Sequence, residues 1–106
     1  KLLTGNMGIF WYRGLVEKNH AYPMADPPFV DSLTNFYHVE TIFVGHTNVP
    51  VITPLFNGKV IATDVPYYTF KAKPEAVLIE KNEIFRVSAD GRRIPLTQEE
   101  PETILH

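Results

Sequence analysis

The sequence contains no cysteine among its 106 residues. This absence excludes disulfide frameworks, cysteine-based zinc sites and catalysis by a thiolate of this chain, and it is compatible with the cytoplasmic location that we expect. The chain also lacks an apolar run of the roughly 18 to 20 residues needed to span a bilayer, and no signal-peptide pattern opens it. The sequence therefore predicts a soluble globular domain without a membrane partner.

An excess of basic charge is missing as well. Ten basic and twelve acidic side chains give the chain a formal net charge of −2, and the basic residues are scattered along it. Nucleic-acid binding depends on clustered Lys and Arg side chains that contact phosphates. We therefore do not expect nucleic acid as a primary partner.

Proline, in contrast, is plentiful, with nine residues against an average share of about 5%. Residues 1–26 show no sustained period, and we expect them to be mostly irregular, with at most one turn of helix. Asp26 matches an N-cap and Pro27 a first helical position, which predicts a helix of roughly three turns that ends near His38. The apolar positions of this helix are Phe29, Leu33, Phe36 and Val39.

A strand is predicted directly after the helix. Residues 41–45 read Thr-Ile-Phe-Val-Gly, a continuous apolar and β-branched run without alternation. Such a run is typical of a strand that is covered on both faces. The sequence therefore predicts a helix followed by a buried strand.

Two hairpins are predicted in the second half of the chain. Asn57-Gly58 separates apolar runs at residues 51–56 and 59–63, and this dipeptide is a strong short-range signal for a hairpin turn. Alternating runs at residues 76–80 and 83–87 predict the other hairpin. Together with the helix, these elements predict an α+β fold.

The polar end of the sequence differs from the rest in composition. Asp90-Gly91 marks a further turn, and residues 97–106 are polar and largely acidic up to Glu102. We expect residues 1–96 to form the folded part and residues 97–106 to form an acidic tail on the surface.

His46 is the histidine with the most informative setting. It follows the predicted buried strand directly, and residues just beyond the carboxyl ends of buried strands line the functional crevice of open α/β sheets. Gly45 would allow a sharp turn or the close approach of another group. Thr47 and Asn48 are placed to orient the ring by hydrogen bonds. The residues alone leave two interpretations open: a ligand, or a loop histidine bonded to the backbone.

Residues 42–80 resemble the C-terminal part of calcineurin-like metallophosphoesterases, including bacterial members of the protein-phosphatase type. In that family a strand ends in Gly-His-Thr, here Gly45-His46-Thr47, and a hairpin with an Asp-containing strand follows, here reaching Asp64. The whole resemblance extends over residues 8–87.

An upstream segment adds to the resemblance. The family has a Trp that precedes an Arg contacting the substrate phosphate, and here Trp11 precedes Arg13. A guanidinium can hold two phosphate oxygens and offset the charge that develops in the transition state. The alternative is that the stem of Arg13 packs on Trp11 or Tyr12.

The resemblance implies a fold, an activity and a set of site residues. The chain would be a fragment of a four-layer α/β/β/α sandwich that hydrolyses phosphate monoesters by a hydroxide activated by two divalent metal ions, with Mn, Fe, Zn and Mg equally compatible. His46 would be a metal ligand, Arg13 a catalytic phosphate clamp and Trp11 a substrate-binding residue. Thr47, Asn48 and Asp64 would hold the metal ligands in position without binding the metal themselves. The resemblance implies no further site residues in this chain.

The sequence departs from the family pattern in two places. The family usually has Gly two residues after the aspartate, whereas Asp64 is followed by Val65 and Pro66. Pro cannot adopt a positive φ, so we expect Asp64 to play a supporting role and not to bind metal. The N-terminal family motifs Gly-Asp-x-His, Gly-Asp-x-x-Asp-Arg-Gly and Gly-Asn-His-Glu are absent.

Two functional hypotheses follow. In the first, the chain is the C-terminal portion of a metallophosphoesterase and is inactive without an N-terminal half, its main partner besides a phosphate ester substrate. Its strands would then lack neighbours, and unpaired strands favour self-association. In the second hypothesis, the chain is a non-catalytic α+β module that contacts other proteins.

Overall fold

A computed structural model describes residues 12–18, 23–68 and 73–96 of the chain. The described part has an α+β fold, as predicted, and divides into two units, residues 1–39 and 40–106. Its elements are α1 (Pro27–Tyr37), β1 (Ile42–Val44), β2 (Thr53–Leu55), β3 (Val60–Ala62), β4 (Glu75–Glu80), β5 (Glu83–Ser88) and β6 (Arg93–Pro95). In these ranges no helix is long and apolar enough to cross a membrane.

The helix begins where the sequence predicts. The Asp26 carboxylate accepts a hydrogen bond from the Phe29 N–H at 2.9 Å, so it satisfies one of the unpaired donors of the first turn. The helix ends at His38, which takes the left-handed conformation with φ 55° and ψ 46°. Its N–H donates back to the carbonyl of Asn35 at 3.3 Å. The predicted start and end of the helix are therefore confirmed.

The helix buries a stripe that its most apolar positions do not mark. The buried residues are Val30 and Thr34, whereas Phe29, Phe36 and Val39 are exposed. Val30 and Thr34 are four residues apart and share one stripe of the helix, next to the stripe that carries the aromatic residues. Burial of Thr34 is possible because its hydroxyl donates to the Val30 carbonyl at 3.2 Å. The polar residue therefore needs no partner outside the helix.

The first sheet has the strand order β1-β3-β2. Strand β1 runs parallel to β3, with Phe43 opposite Ile61, and β2 pairs antiparallel to β3. The central strand β3 is fully buried, and β2 is buried beside it. Ile52, Leu55, Val60 and Ile61 form the core of this unit, each with 2% or less of its surface exposed.

The prediction that β1 is covered on both faces is wrong. Within the described residues β1 has a strand neighbour on one side only, and Phe43 keeps 42% of its surface exposed. A continuous apolar run is typical of central strands, but here β3 occupies the centre of the sheet. The first sheet therefore leaves part of the apolar surface of β1 uncovered.

The first hairpin exists, but its connection is longer than two residues. Phe56, Asn57 and Gly58 all have positive φ angles of 52°, 55° and 82°, and the loop spans residues 56–59. The N–H of Gly58 donates to the Leu55 carbonyl at 3.1 Å. Because Phe56 joins the turn, the strands are shorter than the predicted runs.

The second sheet is an antiparallel meander of β4, β5 and β6. Lys81 and Asn82 connect β4 to β5 with φ angles of 51° and 66°, which is the conformation of a type I′ hairpin turn. The turn before β6 contains Asp90 and Gly91, and Gly91 has a φ of 89°. Both turns were predicted. The predicted acidic tail, residues 97–106, lies outside the described residues.

Candidate functional site

The loop that carries His46 leaves the first sheet at one well-defined edge. Because β1 and β3 are parallel, their carboxyl ends lie at the same edge of the sheet. The Thr63 N–H and the Thr63 hydroxyl both donate to the Val44 carbonyl at 2.9 Å. We refer to residues 45–52, which connect β1 to β2, as the His46 loop.

A second contact holds this loop against the end of β3. The N–H of Val49 donates to the Asp64 carbonyl at 3.0 Å, and the Val49 side chain is buried with 2% exposed. The structure therefore brings the segment containing His46 and the segment containing Asp64 together, as their predicted joint role requires. This contact is made by the Asp64 backbone, and a role for its half-buried carboxylate stays a prediction.

The His46 side chain is exposed and its backbone is strained. Its φ is 68°, and the left-handed conformation costs a non-glycine residue of order 1 kcal/mol. His38 has the same conformation for an evident reason, since it terminates α1. His46 lies in a bend without a hydrogen-bonded turn or helix end. Such unexplained strain is more frequent at functional sites than elsewhere.

Gly45 contributes open space to the site instead of the bend. Of the two alternatives for Gly45, a sharp turn or the close approach of another group, the turn is not found at this residue, because the positive φ belongs to His46. A Cβ atom built on Gly45 would have no atom within 4 Å. The backbone before His46 is therefore accessible to another group.

The side chains of Thr47 and Asn48 lie in different environments. Thr47 is buried with 8% of its surface exposed, whereas Asn48 is exposed like His46. Alternate burial of Thr47 and Val49 anchors the loop and leaves His46 and Asn48 on the outside. Among the described residues neither Thr47 nor Asn48 forms a hydrogen bond with the His46 ring, so their predicted orienting role stays a prediction.

Arg13 lies in the other unit, in a segment with one tight turn. Its carbonyl accepts hydrogen bonds from the N–H groups of Val16 at 3.0 Å and Glu17 at 3.1 Å. The following Gly14 is buried, and a Cβ there would overlap the hydroxyl end of Tyr12. Arg13, which lies between Tyr12 and Gly14 in the sequence, is half-buried. Both interpretations of its side chain stay open, and Trp11 lies outside the described residues.

The described residues do not form a complete metal site. No group of three or more His, Asp or Glu side chains that could hold an ion occurs in residues 12–18, 23–68 and 73–96. In this part of the chain the exposed imidazole of His46 makes no hydrogen bond to the protein. Its nitrogens are therefore available to bind an ion as one ligand of a larger set. A full set would need further ligands from outside the described residues.

Sequence reasoning missed one half-buried acid that contacts the His46 loop. Glu75 begins β4, and its side chain is 9% exposed. It contacts both the N–H of Ile52 and the guanidinium of Arg86. An acidic residue after Lys73 and Pro74 looks like a surface residue in the sequence, and no pattern indicates its burial.

Asp90 has the other notable electrostatic setting. The Ser88 hydroxyl, the Arg92 N–H and the Arg92 side chain all donate to its carboxylate, and together they hold the pKa of Asp90 far below its ordinary value. All these contacts lie within the turn between β5 and β6. We therefore attribute them to the turn and not to a functional site.

Comparison with solved structures identifies the fold. The cold-active protein-tyrosine phosphatase of the psychrophile Shewanella sp. is 31% identical with a TM-score of 0.73, over 88% of this chain and 26% of that chain. A mutant of a cold-active protein tyrosine phosphatase is 33% identical with a TM-score of 0.74, over 91% of this chain and 27% of that chain. The chain has part of a phosphatase fold.

Other comparisons limit how far this similarity extends. The chain spans only 26% to 28% of the length of the phosphatases it matches. No protein-family model and no curated protein matches it. The matched structures are named protein-tyrosine phosphatases and not metallophosphoesterases, so the calcineurin-like family and its four-layer sandwich are not confirmed.

Proposed function

We propose that this chain is part of a phosphatase that hydrolyses phosphate monoesters. The observation that carries the proposal is the similarity of 88% or more of the chain to protein-tyrosine phosphatases at 30% to 33% identity. Because the chain spans about a quarter of those proteins, other residues are required for activity. Phosphotyrosine is the first substrate to assay, since the matched structures are named for it.

We further propose that the mechanism is metal-dependent, as in calcineurin-like metallophosphoesterases. A thiolate of this chain cannot act as nucleophile, because the sequence has no cysteine. The exposed and strained His46, in the motif Gly45-His46-Thr47 at the carboxyl edge of a parallel strand pair, supports a ligand. Paired divalent metals, when bound, acidify a water molecule and stabilise charge on the phosphoryl oxygens.

For the other site residues we propose the roles that the family resemblance implies. His46 would hold one ion from its exposed position, and the buried Thr47 would keep the loop in place. Asp64 would support the loop through its carbonyl, which already binds the Val49 N–H. Arg13 would grip two phosphoryl oxygens with its planar guanidinium. Trp11 and Asn48 are proposed as neighbours of the substrate and of the His46 ring, respectively.

The metal proposal predicts how the natural protein responds to two reagents. At the full length in which this chain occurs, its phosphatase activity should fall to background on treatment with a metal chelator and return when Mn, Fe, Zn or Mg is added. Alkylation of cysteines should leave the activity unchanged, because a hydroxide activated by metal ions needs no thiol nucleophile. The measurement is hydrolysis of a phosphotyrosine peptide and of a phosphoserine peptide of the same sequence.

Two results of these assays would contradict the proposals. Activity that survives chelation and is lost on alkylation would contradict the metal mechanism and place a catalytic cysteine elsewhere in the protein. Absence of all phosphatase activity would contradict the proposed function itself.

One observation favours the second hypothesis, a non-catalytic interaction module. Phe36 and Tyr37 of α1 are 75% and 65% exposed, and their rings meet edge to face at 4.9 Å. Exposed aromatic clusters often mark protein contacts. A protein without phosphatase activity that loses a partner on replacement of Phe36 and Tyr37 would support this function instead.

A further inference from the structure

Glu75 links the second sheet to the His46 loop. Its Oε1 accepts a hydrogen bond from the Ile52 N–H at 2.8 Å, across 23 residues of sequence. Ile52 is the last residue of the loop and is 1% exposed. The side chain of a residue in β4 therefore fixes the point where the His46 loop enters β2.

The Glu75 carboxylate also forms an ion pair with the guanidinium of Arg86. The Arg86 Nε lies 3.3 Å from Glu75 Oε2, with 21% of the Arg86 side chain exposed. This is an ion pair without hydrogen-bond geometry, since the Arg86 Nε is buried and makes no hydrogen bond within the described ranges. Glu75 thus directs its well-formed hydrogen bond to the loop and its charge to Arg86.

Two hydrogen bonds therefore hold the second half of the loop. The Val49 N–H donates to the Asp64 carbonyl at 3.0 Å, and the Ile52 N–H donates to Glu75. A hydrogen bond to an ionised acceptor is stronger than one between neutral groups. His46 lies between this anchored half and β1, and its φ of 68° is in the left-handed region.

We propose that Glu75 is a positioning residue, which sets the path of the His46 loop and with it the position of His46. The proposal rests on the proposed function for the role of His46 as a ligand. Residues that orient metal ligands through a contact typically change metal affinity by about 10 to 100-fold when replaced. Glu75 acts through several residues of backbone, so we expect a change of about tenfold at most.

The test compares two double variants that differ in a single hydrogen-bond acceptor. Glu75→Met/Arg86→Met removes both charges and the acceptor, whereas Glu75→Gln/Arg86→Met removes both charges and keeps an amide oxygen for the Ile52 N–H. Replacing both partners of a buried ion pair by apolar groups is often neutral or stabilising, so the first variant should fold. Glu80→Met is the control, because Glu80 in the same strand pairs with Arg93 at 3.1 Å with about half of each side chain exposed.

Two readouts separate positioning from stability. The first is the NMR signals of the His46 ring in the metal-free 106-residue chain, and the second is the Mn²⁺ affinity of the natural full-length protein. We expect Glu75→Met/Arg86→Met to shift the His46 signals and to weaken Mn²⁺ binding by up to about tenfold. Glu75→Gln/Arg86→Met and Glu80→Met should resemble the wild type in both.

The outcomes distinguish the two proposals. Unchanged His46 signals in a folded Glu75→Met/Arg86→Met chain would overturn the positioning role, and so would equal shifts in both double variants. If Glu75→Met/Arg86→Met does not fold, Glu75→Leu/Arg86→Met, which also lacks the acceptor, takes its place, and unchanged His46 signals in that variant would overturn the positioning role. Shifted signals with unchanged Mn²⁺ binding would support the positioning of His46 and contradict the ligand role on which the proposed function depends.

Discussion

Single residues in this chain differ sharply in how much their surroundings constrain them. Gly14 is in contact with the Tyr12 ring, and any side chain at position 14 would overlap it. Gly45 has no atom within reach of a Cβ and has an ordinary φ. The first glycine is therefore needed for packing, and the second is free to serve a ligand or substrate.

These surroundings predict that the same substitution destabilises the chain at one glycine and has little effect at the other. Gly14→Ala should destabilise the chain by about 1 to 3 kcal/mol, the usual cost of overpacking, because the Tyr12 ring must move from its position near the Pro23 carbonyl. Gly45→Ala should leave stability within about 0.5 kcal/mol of the wild type. Urea unfolding of the two variants checks both values, and equal stability of the two would contradict this account of Gly14.

The residues that sequence reasoning could find were those with a local signature. His46 and Arg13 were selected through short motifs, and the structure places His46 at the expected sheet edge. Glu75 could not be selected, because its partners are distant in the sequence. The hydrogen-bond partner Ile52 is 23 residues away and the ion-pair partner Arg86 is 11 residues away. Long-range partners of a polar side chain leave no periodic pattern in a single sequence.

At the scale of elements, the boundaries set by caps and turns were predictable. Asp26 and Pro27 fixed the start of α1, and the turns at residues 57–58, 81–82 and 90–91 were all found. The buried face of α1 and the position of β1 in the sheet were not. Both depend on which neighbours an apolar surface meets, and apolar content alone does not specify them.

Among the described residues, no strand pairs with the outer edge of β1 in the first sheet. The Ile42 N–H donates to the Lys59 carbonyl and the Val44 carbonyl accepts from Thr63, so Ile42 and Val44 direct their backbone groups towards β3. The backbone groups of Phe43 between them point to the open edge. Strand β1 contains neither proline nor a charged residue, which are the usual protections of an edge.

We propose that this edge allows weak self-association through antiparallel pairing of two copies of β1. Phe43→Lys should abolish it, because a charge on an edge strand opposes pairing. Ile79→Lys, on the outer strand of the second sheet, is the matched control and should leave it intact. Sedimentation velocity from micromolar to millimolar concentration measures the effect, and the small contact implies weak affinity.

The contrary results are specific here too. A chain that stays monomeric over this range would show that the edge does not pair. Association that is lost in Ile79→Lys but kept in Phe43→Lys would place the contact on β4.

At the scale of the whole molecule, the chain has the size of a small domain but matches part of larger ones. It aligns with a further cold-active protein tyrosine phosphatase structure over 99% of its own length and 28% of that chain. The candidate site is also partial, since the described residues provide His46 but no group of three or more side chains that could hold an ion. We propose that the remaining ligands come from other parts of the natural protein.

We propose that His46 binds a metal ion in a phosphatase. The most direct measurement is the metal content and phosphatase activity of His46→Gly in the natural full-length protein, with His38→Gly as control. Both histidines are exposed and left-handed, so glycine relieves the same backbone strain in each.

We expect His46→Gly to lose one metal ion and at least about 100-fold in activity, and His38→Gly to keep both. Equal metal content and equal activity in the two variants would contradict the claim.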